Sequence, residues 1–331
     1  MKKYLKNILF LTILAAAVII PGFFMTSKFM IKYHLANGKG AVSEKLAVEQ
    51  KDTIDVIVAG DSESYTTISP MQIWKKYGYT VYAAGQPGAK LTETKYILSR
   101  AFKTQSPKVV MLETNSLYRC QNTQSEVSTK TSEFLYKHLP LLRLHSAWKS
   151  PLMELRGKTY KGFLVSGKVR PYKGKTNYMK KTDEVAYIDE NNINTLREIK
   201  DLCLKNGAKL MLYSAPSPKN YNYKKHNAIV KLAKEENLTY LDMNMHVKEM
   251  GINWKTDTRD KGDHLNYSGA IKSTKFIGKY MNEKFEIPDR RNTQVAFQWD
   301  KLHKKYAHSG KRALKRTDRK VKLLLLKRKM N

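Results

Sequence analysis

The chain has 331 residues, 41% of them apolar, and carries 61 Lys and Arg against 29 Asp and Glu, a net charge of +32. This length accommodates one sizeable core with appendages, and the basic excess calls for an anionic neighbour such as nucleic acid, anionic lipid or a phosphate-rich polymer. With two cysteines, Cys120 and Cys203, there is no disulfide framework and no cysteine-built zinc site.

Lys2, Lys3 and Lys6 precede an apolar run from Ile8 to Met25, broken by Thr12, Pro21 and Gly22. A stretch of about 17–25 apolar residues is long enough to cross a bilayer, and the positive end stays cytoplasmic. The sequence therefore predicts an N-terminal transmembrane signal-anchor over residues 1–31, with the remainder outside the cytoplasm. A cleaved signal peptide is the alternative, but Ala15-Ala16-Ala17 lies inside the run and Phe23-Phe24-Met25 ends it, which disfavours cleavage. Either reading exports the domain, argues against nucleic acid as partner and favours wall polymers or lipid headgroups.

Residues 32–52 read as a polar stalk. Short β-branched or apolar runs then alternate with helical spacing. Strands are predicted at Ile54–Ala59, Thr80–Ala84, Lys108–Leu112, Lys209–Tyr213 and Thr239–Leu241. Helices are predicted at Leu91–Phe102, Asn191–Leu204, Lys224–Glu236 and Ser268–Lys284, with Cys203 a buried small hydrophobe. This alternation predicts an α/β, flavodoxin-like three-layer fold with a central parallel sheet, over residues 53–287. An insertion over about 119–188, rich in Lys, Arg, Tyr and Gly, interrupts the pattern and is expected to be partly helical around Ser132–Ser146. Residues 288–331 form a basic tail, suited to an anionic surface or simply solvated.

In parallel sheets ligands bind beyond the carboxyl ends of the strands, and four segments of interest lie there. Ser62 follows the first strand in Gly60-Asp61-Ser62, where a hydroxyl faces the crevice and its own N–H can hold an oxyanion. A helix N-cap is the plainer reading of Ser62. Gly85-Gln86-Pro87-Gly88 follows the second strand, and Asn115 the third. Taken singly these are a turn and a cap, but backbone and amide N–H groups there can meet a developing negative oxygen. Last, Asp260-Lys-Gly-Asp263-His264-Leu-Asn266-Tyr-Ser-Gly269 precedes the final predicted helix. A serine hydroxyl needs a base, and the base an orienting acid. Either Asp260 or Asp263 can orient His264. A metal at this cluster is the weaker reading, because only one histidine is present.

Together the four segments resemble the SGNH (GDSL-like) hydrolase superfamily, over about residues 54–283, and in particular its membrane-anchored Gram-positive branch. The resemblance implies Ser62 as nucleophile, His264 as base, and Ser62, Gly88 and Asn115 as the oxyanion hole. It implies a carboxylic ester hydrolase or O-acyltransferase that needs no cofactor and no metal. The expected substrate is an anionic cell-envelope polymer or acylated glycan, with a membrane-bound O-acyltransferase as possible partner, as for the alginate-type acetylation proteins and the D-alanine transfer protein of teichoic acid assembly. Two departures stand out. Glu113-Thr114-Asn115-Ser116 replaces the usual Gly-x-Asn-Asp, and Lys261 occupies the family's acid position three residues before the histidine. Asp260 is the preferred acid, since the side chain of Asp263 is expected to diverge from its neighbour's. A degenerate domain that only binds a polymer or assists a membrane acyltransferase is the non-enzymatic alternative.

Overall fold

The structure, a computed structural model, describes residues 2–24, 41–119, 123–138, 158–175 and 177–329. Five strands form one parallel sheet: β1 (Val56–Ala59), β2 (Val81–Ala83), β3 (Val109–Glu113), β6 (Lys209–Ser214) and β7 (Thr239–Asp242), in the order β2-β1-β3-β6-β7. Val56 pairs with Val81 on one side and Val109 on the other. Strands buried on both faces select β-branched and other apolar residues throughout, and here alternate side chains enter two separate cores. Ile57, Val110 and Leu212 join one, and Val58, Met111 and Tyr213 the other.

Helices cover both faces. In chain order they are α1 (Lys2–Phe24), α2 (Ala41–Ala47), α3 (Ser64–Thr67), α4 (Pro70–Tyr77), α5 (Leu91–Ala101), α6 (Thr123–His138), α7 (Glu190–Lys205), α8 (Tyr223–Glu235), α9 (Tyr267–Lys284) and α10 (Ala296–Lys329). Leu98 of α5 and Leu196, Ile199 and Cys203 of α7 pack into the first core, and Ile277 and Met281 of α9 into the second. The chain runs from β1 outward to β2, then crosses back to β3 and beyond. The strand order therefore reverses between β1 and β3, and the crevice at such a switch point is where α/β sheets bind ligands.

Three regions differ from the sequence-based expectation. Among the described residues no helix is long and apolar enough to cross a membrane, so the transmembrane helix expected over Ile8–Met25 is not borne out. A 23-residue helix, α1, does form over Lys2–Phe24. Within the segment read as a stalk, residues 32–40 lie outside the described residues, while Leu46 of α2 is buried and Glu49 pairs with Lys161 at 2.5 Å. The segment read as a basic tail is mostly the 34-residue helix α10. Trp299, Tyr306, Ala313 and Thr317 of α10 are buried, and the Trp299 ring lies 5.3 Å from that of Trp74. The insertion holds α6 and a hairpin of β4 (Lys158–Tyr160) and β5 (Phe163–Val165), whose Phe163 is fully buried. Of the helix expected at Ser132–Ser146, the part after His138 lies outside the described residues.

Candidate active site

β1 delivers the chain to Gly60, which turns with a φ of 131°, and Asp61 then accepts the Glu63 N–H at 3.0 Å. This side-chain turn ends the strand and starts α3. Ser62 is half-buried at the turn's apex, and its Oγ lies 2.7 Å from His264 Nε2. The hydroxyl is thus engaged with the imidazole rather than capping a helix. The close approach of the β2 exit depends on Gly85, where a Cβ would stand 1.7 Å from Ser64 Oγ.

His264 sits on a loop closed by the Thr258–Leu265 bridge, just before α9. Inside it Lys261 and Gly262 take φ of 69° and 89°. These two left-handed residues fold the loop back, so that Asp260 Oδ2 lies 2.7 Å from His264 Nδ1 while Asp260 Oδ1 accepts the His264 N–H at 2.7 Å. The backbone reversal accommodates the acid at four residues before the histidine. Asp263 Oδ1 is 3.7 Å from the same Nδ1, and its carboxylate accepts from Lys219 Nζ at 3.0 Å and Asn220 Nδ2 at 2.6 Å. Of the two candidate acids Asp260 thus makes the shorter contact with the ring, at hydrogen-bond distance, while Asp263, part-buried, is bonded to Lys219 and Asn220. Burial works against the Asp260 charge, but the His264 ring and amide and the Arg259 guanidinium outweigh it and hold the carboxyl below its ordinary pKa. An ionised Asp260 accepts from Nδ1–H, which leaves Nε2 to accept the Ser62 proton.

The three oxyanion candidates lie beyond the ends of β1, β2 and β3. Among the described residues the N–H groups of Ser62 and Gly88 have no acceptor. Asn115, in the 3₁₀ turn Thr114–Tyr118, donates from Nδ2 to Asp61 Oδ2 at 2.9 Å, and its Oδ1 faces Lys225 Nζ at 3.5 Å. Both ends of the carboxamide are thus assigned, and the second Nδ2 hydrogen stays available.

Behind Ser62 lies a polar cluster with little signature in the sequence. Asp61, Glu63 and Glu113 are all buried, with carboxylate oxygens within 4.8 Å of one another. Arg119 donates to Asp61 through Nε at 3.1 Å and also through its terminal NH2. Burial first, then the Asp61 charge, raises the Glu63 pKa to about 8. Burial, then the charges of Glu63 and Asp61, pushes Glu113 well above the ordinary carboxylate range. Beside Asp61, which Arg119 pairs, the cluster thus holds two acids shifted towards their neutral form. Oxygen donors in this number could ligate a cation, but Asp61 already accepts from Arg119 and Asn115, and Glu63 from Asn220 Nδ2 at 2.7 Å. The one trace in the sequence is a glutamate closing the apolar strand Val109–Glu113; Arg119 and Asn220 are recruited by tertiary contact.

The arrangement has the parts of an acyl-transfer site: a hydroxyl, a base, an orienting acid and nearby N–H donors. No family model matches the chain, and no curated protein matches it. Among solved structures it is similar to a GDSL-like lipase from Bacteroides thetaiotaomicron VPI-5482, with 12% identity and a TM-score of 0.39 over 79% of this chain and 100% of that one. A second, described as an acylhydrolase from Bacteroides fragilis NCTC 9343, gives 13% identity and a TM-score of 0.38 over 73% and 94% of the respective chains. Scores this low establish neither family nor activity.

Proposed function

We propose that the chain is an SGNH-type serine hydrolase acting on an acylated cell-envelope polymer outside the cytoplasm. The observation that carries this reading is the continuous relay Ser62 Oγ, His264 Nε2, His264 Nδ1, Asp260 Oδ2, with both heavy-atom contacts at 2.7 Å. His264 takes the Ser62 proton as Ser62 attacks an ester carbonyl. Asp260 stabilises the imidazolium that forms. The Ser62 and Gly88 N–H groups and the free Asn115 amide hydrogen receive the oxyanion. His264 then returns the proton to the leaving alcohol, and the acyl group passes to water in an esterase or to a polymer hydroxyl in an O-acyltransferase. In the second case a membrane-bound O-acyltransferase is the natural source of acyl groups. The intact relay supports an enzyme over a degenerate binding domain.

Export is supported by Lys2, Lys3 and Lys6 at the start of α1, whose Ile8, Phe10 and Ile19 are 62%, 64% and 67% exposed. Apolar side chains left so uncovered suit a membrane environment. Full-length protein in detergent, given p-nitrophenyl acetate and a polyol acceptor, tests the chemistry. The reading expects p-nitrophenol release that Ser62→Ala abolishes, with acetate or acetylated polyol as the second product. Equal release by wild type and Ser62→Ala would overturn it.

A further inference from the structure

The loop after β5 runs beside α10 and the catalytic loop and is fixed to both. Arg170 N–H donates to Thr258 O at 3.1 Å and Lys261 N–H to Arg170 O at 2.9 Å. On the other side Thr317 Oγ1 of α10 donates to Gly167 O at 3.3 Å. Gly167 fits only because it lacks a Cβ, which would stand 2.2 Å from Ala313 O. Between these elements lies a groove of about 620 Å³. Lys168, Arg170 and Lys173 line one wall, and Arg316, Arg319 and Lys320 of α10 the other. Lys261, next to Asp260, stands at the catalytic loop. Among the described residues none of these seven cations has a carboxylate within ion-pair distance, whereas Arg259 and Lys219 nearby are paired with Asp260 and Asp263. Apolar Val169, Pro171, Leu323 and Leu324 complete the lining.

Seven exposed cations held together without counter-charges raise the local potential and attract anions. The groove has two walls, so a flat bilayer meets only its rims, while a chain can lie within it. Among the described residues its lining has no aromatic side chain, and bases of single-stranded nucleic acid bind by stacking on aromatics. Apolar patches between the cations suit short carbon links between anionic groups. From these features we propose that the groove between the 167–173 loop and α10 binds a strand of a polyanionic polymer and leads it to the catalytic loop. This deepens, and rests on, the reading of the chain as an envelope-polymer acyl hydrolase or transferase. Phosphodiester and polyuronate chains share the required chemistry.

The test measures binding of fluorescent inorganic polyphosphate and polygalacturonate to the full chain in detergent, with phosphatidylglycerol vesicles as a competitor. Two variants carry serine on opposite walls: Arg316→Ser/Arg319→Ser/Lys320→Ser and Lys168→Ser/Lys173→Ser. A control, Lys301→Ser/Lys304→Ser/Lys305→Ser, removes as many charges from α10 outside the groove. We expect each wall variant to weaken binding of one or both polymers about tenfold or more, the control to change it little, and p-nitrophenyl acetate turnover to be unchanged throughout. The better-bound polymer identifies phosphate or carboxylate as the ligand group. Equal losses in the control and wall variants would overturn the proposal, as would vesicles displacing the polymer in wild type but not in the wall variants. Wall-dependent binding by a protein that hydrolyses no ester would support the groove while defeating the enzymatic reading.

Discussion

Asp61 and Asn115 are joined by a hydrogen bond of 2.9 Å from the carboxamide Nδ2 to Oδ2, which couples the residue before the serine nucleophile candidate to the amide proposed for the oxyanion hole. Asp61 leaves β1 and Asn115 leaves β3, neighbouring strands on either side of the switch point. With one amide hydrogen committed to Asp61, the other has a defined direction. Asp61→Asn removes a charge that Arg119 and the amide both address. The expected result is a fall in kcat of roughly 10²–10³, the scale of losing one oxyanion donor, with a smaller change in KM. Asn115→Ala should fall in the same range, and the double variant should lose less than the sum of the two, because both substitutions act on one group. Additive losses in steady-state kinetics would contradict the coupling.

The two aspartates near His264 separate cleanly. Asp260→Asn should lower kcat by about 10⁴, since an amide in place of the carboxylate disturbs the imidazole tautomer. Asp263→Asn should change it only a few-fold, because Asp263 faces Lys219 and Asn220. Kinetics on p-nitrophenyl acetate decide the assignment, and the reverse ranking would transfer the acid's role to Asp263.

Glu63 makes stability depend on pH. Its folded pKa, raised to about 8 by burial and then by the Asp61 charge, lies above the ordinary glutamate value of 4.5, so the folded state binds its proton more tightly. That contribution is fully present below about 4.5 and is lost as pH rises towards and through about 8. Glu63→Gln, which keeps an acceptor for Asn220, should flatten this decline and raise Tm relative to wild type near pH 8. Thermal denaturation from pH 5 to 9 measures it, and parallel curves for the two proteins would refute the assignment.

Helix α10 is part of the core. Trp299 is 2% exposed, and Tyr306 packs among Tyr160, Phe163 and Tyr267 and its hydroxyl accepts from Ser69 Oγ at 2.7 Å. Trp299→Ala should cost about 3–5 kcal/mol of stability, read from denaturant unfolding. A change below ~0.5 kcal/mol would match a dispensable surface position instead.

The sheet was legible because short apolar strands bounded by turns carry a local signal, and Ile57, Val110 and Leu212 obey it. Ser62, Gly88, Asn115 and His264 stand out in the sequence by their order, each beyond a strand or before the last helix of the sheet domain, and the structure brings Ser62 and His264 together. The choice between Asp260 and Asp263 needed the positive φ of Lys261 and Gly262, which only coordinates supply. Arg119, Asn220 and Lys225 come from elsewhere in the chain, so no spacing announces them. In α10 the buried positions Trp299, Tyr306, Ala313 and Thr317 follow a helical period, but the lysines and arginines between them dilute it. In α1 the sequence over-predicted, since an apolar run was taken as a full span.

The most direct test of the Ser62–His264–Asp260 site is covalent. Full-length protein treated with a fluorophosphonate probe, digested and mapped by mass spectrometry should carry the adduct on Ser62, with labelling slowed in His264→Ala and absent in Ser62→Ala. Labelling elsewhere, or none in wild type under conditions that preserve the fold, would contradict it.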